Sequence, residues 1–266
     1  SALGTQNLIL PAGTAKIGQY EYDALNRRIR KTISNGGLSG DIPDGTTDYL
    51  WQQWQTVEER DGTDAPTRQY VWGAYIDECI QLKTYVDTGS QPLSAGMYYP
   101  LQDLLYRTMA LTDSTGTIVE TYDTDAYGNT LIFKAAGTGG NWWADDAVQT
   151  DYPACEVLFC GYRYDPESGL YYVRNRMYRP GLGRWLQRDP LGIGAGDFNL
   201  YRYVAGQPVG ATDPNGTDCP GCDLPGFLHA NDTPCVRACC AQHDKCYHDR
   251  KCKESSWLEN LACLAS

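Results

Sequence analysis

Two copies of one four-residue pattern carry the first chemistry this sequence offers. Asp189-Pro190-Leu191-Gly192 and Asp213-Pro214-Asn215-Gly216 lie 24 residues apart. A single copy is an ordinary type I turn, with Asp at i, Pro presetting φ at i+1 and Gly at i+3. Asp165-Pro166-Glu167-Ser168-Gly169 shows the chain making a similar turn elsewhere. A pair is different. Two carboxylates brought within hydrogen-bond range cannot both ionise, so one keeps its proton and the other acts as base. Adding water, or an activated internal group, to a peptide carbonyl needs that division of roles. The second reactive concentration is C-terminal, where His229, His243 and His248 stand among Cys219, Cys222, Cys235, Cys239, Cys240, Cys246, Cys252 and Cys263.

The other three cysteines, Cys79, Cys155 and Cys160, are scattered through the preceding 217 residues. So sharp a change in composition marks a boundary near residue 217. Eight cysteines in a short tail read as a disulfide framework formed in an oxidising compartment. A zinc module built on Cys219-x-x-Cys222 is the alternative, but a second CxxC or HxxxH pair at finger spacing is missing. The net charge of -11 argues against binding a phosphate backbone, so no nucleic-acid partner is expected. No stretch approaches the roughly 18 apolar residues of a membrane span. No charged-then-apolar leader opens the sequence, which begins in mid-pattern, so it reads as the end of a longer polypeptide.

The elements that must position these residues are strands. Gly18-Gln19-Tyr20-Glu21-Tyr22-Asp23-Ala24-Leu25-Asn26-Arg27-Arg28 alternates apolar and polar residues and ends in turn chemistry. Weaker echoes occur at Tyr70-Val71-Trp72-Gly73 and across residues 116–129. Hairpin after hairpin is the predicted organisation, with turns near Asp23–Asn26, Asp125–Asn129 and Asp165–Gly169. Twenty Tyr against four Phe suit strands with one wet side. Residues 136–160, with a Gly-Thr-Gly-Gly run and two adjacent Trp, read as a loop or insertion. Pro100–Ala110 is the one modest helix candidate before residue 230. The fold class is therefore mainly β and antiparallel, with a small disulfide-rich α-helical segment at the C-terminus. The divisions are hairpins over 1–135, the loop over 136–160, a core over 161–217 and the cysteine-rich segment over 218–266.

The hairpin at residues 18–28 resembles a YD repeat. The run from Gly161-Tyr162-Arg163-Tyr164-Asp165 through Leu170–Tyr178, Gly183-Arg184-Trp185 and Asn199–Val204 to Gly216 resembles the Rhs repeat-associated core. In that family the repeats coil into a hollow β-shell, the core is an autoprotease, and the segment C-terminal to the core is a toxin. The resemblance implies that Asp189 and Asp213 are the catalytic pair. It also implies that Arg176 lies near them, either holding one Asp ionised or polarising the scissile carbonyl; Arg184 and Arg188 remain alternatives. Thr217 stands where family cores usually carry Leu. Cleavage is placed at Thr217-Asp218 or one residue to either side.

Cys239-Cys240-Ala241-Gln242-His243-Asp244-Lys245-Cys246-Tyr247 resembles the active-site helix of secreted phospholipase A2. At helical spacing Cys239, His243 and Cys246 share one face. The resemblance implies that His243 is the base activating a water and that Asp244 supplies ligands to Ca²⁺, which polarises a phospholipid ester. The expected partners are the rest of an Rhs shell, a phospholipid substrate and an immunity protein, and the expected location is secreted or exported. A structural shell or adhesion fragment with a non-catalytic disulfide-rich tail is the competing reading.

Overall fold

A computed structural model of the chain describes residues 4–9, 16–40, 42–85, 93–135, 147–150, 152–195 and 197–217. Twelve strands pair in the order in which they occur in the chain. They are β1 (Gly4–Ile9), β2 (Lys16–Tyr22), β3 (Arg28–Ile33), β4 (Gly45–Gln52), β5 (Gln55–Asp61) and β6 (Pro66–Trp72), then β7 (Cys79–Thr84), β8 (Gly96–Gln102), β9 (Thr108–Asp113), β10 (Ile118–Thr124), β11 (Thr130–Ala135) and β12 (Ala147–Thr150). All neighbours are antiparallel, so the sheet is one long meander.

The turns arise from a repeated local device. An Asp accepts from the backbone two and four residues on, closing the hairpin from its own side chain. Asp23 Oδ1 accepts from Leu25 and Arg27 N–H, each at 2.9 Å. Asp103 and Asp125 repeat the arrangement, as does Asp113. The three turns expected from sequence are present, and at Asp165 the carbonyl accepts from Ser168 and Gly169 N–H at 3.0 and 2.8 Å.

Register sets which side chains are covered. Tyr70 pairs with Leu82 and Leu82 with Tyr98, and all three are buried. Val71, Ile80, Met97 and Leu101, on the alternate positions, are exposed. This period of two also explains why Pro100–Ala110 is not helical. Pro100 is buried in β8 opposite Leu111, and Thr108–Ala110 begin β9.

A second, four-stranded sheet is built from β13 (Arg163–Asp165), β14 (Leu170–Val173), β15 (Arg176–Arg179) and β16 (Arg184–Trp185). Its core gathers around Phe159, whose ring lies about 6 Å from those of Tyr162, Tyr171, Tyr178 and Tyr203. The loop expected over 136–160 is therefore, in its described part, a strand followed by a buried plug. Ala154, Val157, Leu158 and Phe159 are apolar and almost fully covered, and burying them is what draws this stretch inward.

Charge is buried between the two sheets as well. Arg28 of β3 donates from Nη1 and Nη2 to the two oxygens of Asp165 at 2.6 and 2.7 Å. Lys31 lies 3.5 Å from each of Glu156, Asp165 and Glu167. Arg163 reaches Glu59 of β5 at 2.5 Å and Glu156 at 3.1 Å. The tyrosines belong to this layer, donating to Glu167 from Tyr20 and to Glu59 from Tyr70. Tyr20, Tyr70 and Tyr122 are thus buried rings with their hydroxyls spent on buried acids, rather than the half-wet rings expected. The expected helical tail, with its eight cysteines, His243, Asp244 and Asp218, lies outside the described residues. Cys79, Cys155 and Cys160 are buried thiols. Among the described residues no helix is long and apolar enough to cross a membrane.

Candidate active site

β14 and β15 pair Val173 with Arg176, so Arg174 and Asn175 form the turn between them and Arg176 opens the outgoing strand. The two Asp-Pro-x-Gly segments close as turns on either side of it. Gly192 N–H donates to the Asp189 carbonyl at 3.0 Å, and Gly216 N–H donates to that of Asp213 at 3.2 Å. In each turn the carboxylate spends Oδ1 on its own backbone. Asp189 Oδ1 accepts from Leu191 N–H at 2.8 Å, and Asp213 Oδ1 accepts from Thr217 N–H at 3.1 Å. Each then offers Oδ2 to the same guanidinium. Arg176 Nη1 lies 3.0 Å from Asp189 and Nη2 3.0 Å from Asp213.

The remaining nitrogen, Nε, donates to the Gly216 carbonyl. One planar side chain therefore holds two carboxylates and a backbone carbonyl, and it stacks 4.2 Å above the Trp185 ring. The cluster is dry, with 3% of the Arg176 side chain exposed, 8% of Asp189 and 2% of Asp213. In such a place a charge is tolerated only when it is paired and hydrogen-bonded. Arg184 lies instead over the Tyr201 ring and Arg188 faces solvent, so Arg176 alone of the three candidates meets both carboxylates among the described contacts.

The chain leading to Thr217 is gripped residue by residue. Arg174 Nη1 donates to the Pro214 carbonyl, Asn175 donates to that of Asn215 from its backbone at 3.3 Å and its side chain at 3.0 Å, and Arg176 holds Gly216. Three successive residues hold three successive carbonyls. Gly216 has φ +69°, and a Cβ there would stand 2.6 Å from the Val173 carbonyl, so only glycine lets the backbone pass this close. Asp213 is fixed from behind by its own N–H, which donates to the Tyr162 hydroxyl at 2.8 Å. That hydroxyl lies 3.1 Å from Tyr203, which donates to Cys160 Sγ. Burial pushes both phenols well above their usual range and the Cys160 thiol up to about 12, so all three stay neutral as hydrogen-bonding parts. Asp189 is placed by a neighbouring segment, where its N–H donates to Leu200 and Trp185 N–H to Tyr201, both at 2.9 Å.

No protein-family model matches the chain. It is 30% identical over 216 residues to the toxin protein Tse5 of Pseudomonas aeruginosa, covering 78% of this chain and 16% of that protein. It is also 30% identical over 203 residues to the tRNA nuclease WapA of Bacillus subtilis, covering 74% of this chain and 7% of that protein. Its homologues are Rhs-type toxins. A crystal structure of TcdB2-TccC3-TEV shares the fold at a TM-score of 0.54 and 22% identity, over 80% of this chain and 10% of that one. The chain thus spans a small fraction of the relatives it matches.

The structure brings together Asp189, Asp213, Arg176 and Thr217 from the residues singled out in sequence. His243, Asp244 and Asp218 fall outside the described part. Sequence reasoning does not find Arg174, Asn175 or Tyr162 as parts of the site. The first two stand next to Arg176 in the chain, and that adjacency at a two-residue turn is the available signal.

Proposed function

We propose that residues 161–217 cut their own chain beside Thr217, at Thr217-Asp218 or one bond to either side. The observation that carries this is the three-way grip of Arg176 on Asp189, Asp213 and the Gly216 carbonyl, with Thr217 N–H on Asp213. The reaction needs one of the two aspartates to carry a proton at the outset, and with the one arginine between them that leaves the buried cluster neutral. Asp189 then takes a proton from water as its oxygen adds to the carbonyl carbon. Asp213, next to the peptide nitrogen, returns a proton as the C–N bond breaks, giving a carboxylate and a new amino terminus. Arg176 stabilises the oxyanion. The test is intact mass of the freshly expressed chain. Two fragments whose masses sum to the chain plus one water support the reading, and the smaller mass identifies the bond. An uncut wild type overturns it.

The released part in this reading is residues 218–266, an exported effector. The Cys239-Cys240-x-x-His243-Asp244-x-Cys246-Tyr247 pattern supports Ca²⁺-dependent phospholipid hydrolysis, with His243 as base and Asp244 as ligand. The relative named as a tRNA nuclease points to a different effector chemistry in similar chains. Fatty-acid release from liposomes with and without Ca²⁺, run beside tRNA degradation, separates the two. Release that survives both chelation and His243→Gln sinks the phospholipase reading. Inactivity in both assays leaves the competing view, a shell fragment with a disulfide-rich tail. The larger assembly in this reading is an Rhs-type shell, and the exposed Leu191, Ile193, Phe198 and Val209 between and beside the two motifs suit burial against its remainder.

A further inference from the structure

One buried ion pair outside the Asp189–Asp213–Arg176 cluster also holds the segment leading to Thr217. Asp77 lies in the loop joining β6 to β7, on the twelve-stranded sheet, and its side chain is 3% exposed. Arg174 Nη2 donates to its Oδ1 at 2.8 Å. The same guanidinium donates from Nε to the Trp54 carbonyl, at the β4–β5 turn, at 3.3 Å, and from Nη1 to the Pro214 carbonyl in the second Asp-Pro-x-Gly turn. Two of its three contacts are therefore on the large sheet, and the third is on the peptide that leads to Thr217.

Three further observations set this pair apart from a generic core ion pair. Arg174 has φ +44°, a conformation that costs a non-glycine residue about 1 kcal/mol and needs surrounding structure to hold it. The Asp77 loop is seated tightly. A Cβ on Gly161 would fall 2.4 Å from the Asp77 carbonyl, and Gln102 Nε2 donates to that carbonyl at 3.3 Å. The loop also touches the cleavage segment a second time, through the Tyr75 hydroxyl at 3.3 Å from that of Thr212, while Tyr75 stacks on Tyr106 at 4.2 Å.

We propose that Arg174 is a positioning residue for the cut beside Thr217, and that its anchoring by Asp77 makes cleavage conditional on the folded sheet. The inference rests on the self-cleavage reading. Arg176 can place a carbonyl against the two carboxylates only if residues 214–216 lie in register with 174–176. That register is fixed at its first rung by Arg174, and Arg174 is fixed by the β6–β7 loop. Without the loop the catalytic groups are all still encoded, but the peptide is free to slide.

The test uses the full 266-residue chain. Arg174→Ala removes the first rung and leaves Asp189, Asp213 and Arg176 in place. A misplacement of about 1 Å costs on the order of 100-fold in such geometries, so cleavage should slow by about 10- to 100-fold. Asp77→Ala should slow it in the same direction. Uncut Arg174→Ala protein can then be purified and given methylguanidinium, which should restore part of the lost rate; the same compound should do nothing for Asp189→Asn. A merely structural role would not respond to the added cation. Wild-type cleavage rates in Arg174→Ala, or slowed cleavage without rescue and with a lowered unfolding midpoint, overturn the proposal. An uncut wild type is a distinct result: it removes the self-cleavage reading itself, and this inference with it.

Discussion

Asp165 and Asp213 each begin an Asp-Pro turn, each is almost fully buried, and each is paired with a buried arginine. The two pairs use the guanidinium in opposite ways. Arg28 gives both terminal nitrogens to one carboxylate, and its Nε has no hydrogen-bond partner. Arg176 divides its terminal nitrogens between two carboxylates and gives Nε to a backbone carbonyl. The first arrangement joins the two sheets and saturates one acid. The second assembles two acids and a peptide carbonyl on one plane. Closely similar local motifs thus differ in where the arginine's third nitrogen goes, and that difference separates a scaffold pair from the pair proposed to carry chemistry.

That contrast can be broken by substitution. Asp213→Asn and Asp189→Asn should each slow cleavage by about 1,000-fold or more, leaving a single species of intact mass, because in the proposed reaction each removes a reacting group. Far-UV circular dichroism should still report a β fold. Asp165→Asn should do the reverse. It leaves Arg28 buried beside a neutral amide, so stability should fall by about 3–5 kcal/mol in urea titration on the uncut Asp189→Asn background. Cleavage of the molecules that do fold should stay within a few-fold of wild type. Strong loss of cleavage with no loss of stability in Asp165→Asn would erase the distinction.

A buried acid outside both pairs gives a smaller effect with a definite sign. Glu120 is 1% exposed, and burial raises its carboxyl to about 7, although Tyr122 and the Ala154 N–H both donate to Oε2. Its folded value is above the unfolded one, so the folded state binds more protons between these values. Stability should therefore fall as pH rises from about 4.5 to about 7. Glu120→Gln should flatten that slope and add about 3 kcal/mol above pH 7 on the same uncut background. A slope that survives the substitution assigns it to another group. Smallest of all, Tyr162→Phe removes the acceptor for Asp213 N–H and should cost about 1–3 kcal/mol, with cleavage slowed several-fold. Unchanged cleavage there would detach the Tyr162–Tyr203–Cys160 chain from the site.

The repeated motif makes Asp189 and Asp213 legible, because a turn motif duplicated at close range asks for a reason beyond turning. The hairpins are legible too, through period-two patterning and Asp-led turns such as Asp23 and Asp125. The helix expected at Pro100–Ala110 fails because composition there hides an alternation that only pairing with β9 reveals. Asp77 gives no signal at all. Its partner is 97 residues away, and nothing local distinguishes it from a solvated loop acid. The buried layer around Lys31 and Glu156 is hidden for the same reason, since it is assembled across 125 residues. Long-range pairing of charges is written in the fold and not in any window of sequence.

A sheet whose strands pair in chain order can form each hairpin as that hairpin leaves the ribosome, without waiting for any distant partner. Such a sheet could already hold Lys31 and Asp77 on the ladder while the second Asp-Pro-x-Gly turn is still being made. The cluster around Arg176 is complete only when Asp213 and Gly216 have been made and reach it. If the chain cuts itself as proposed, that order of synthesis would place the cut after the frame that holds the cutting cluster is built.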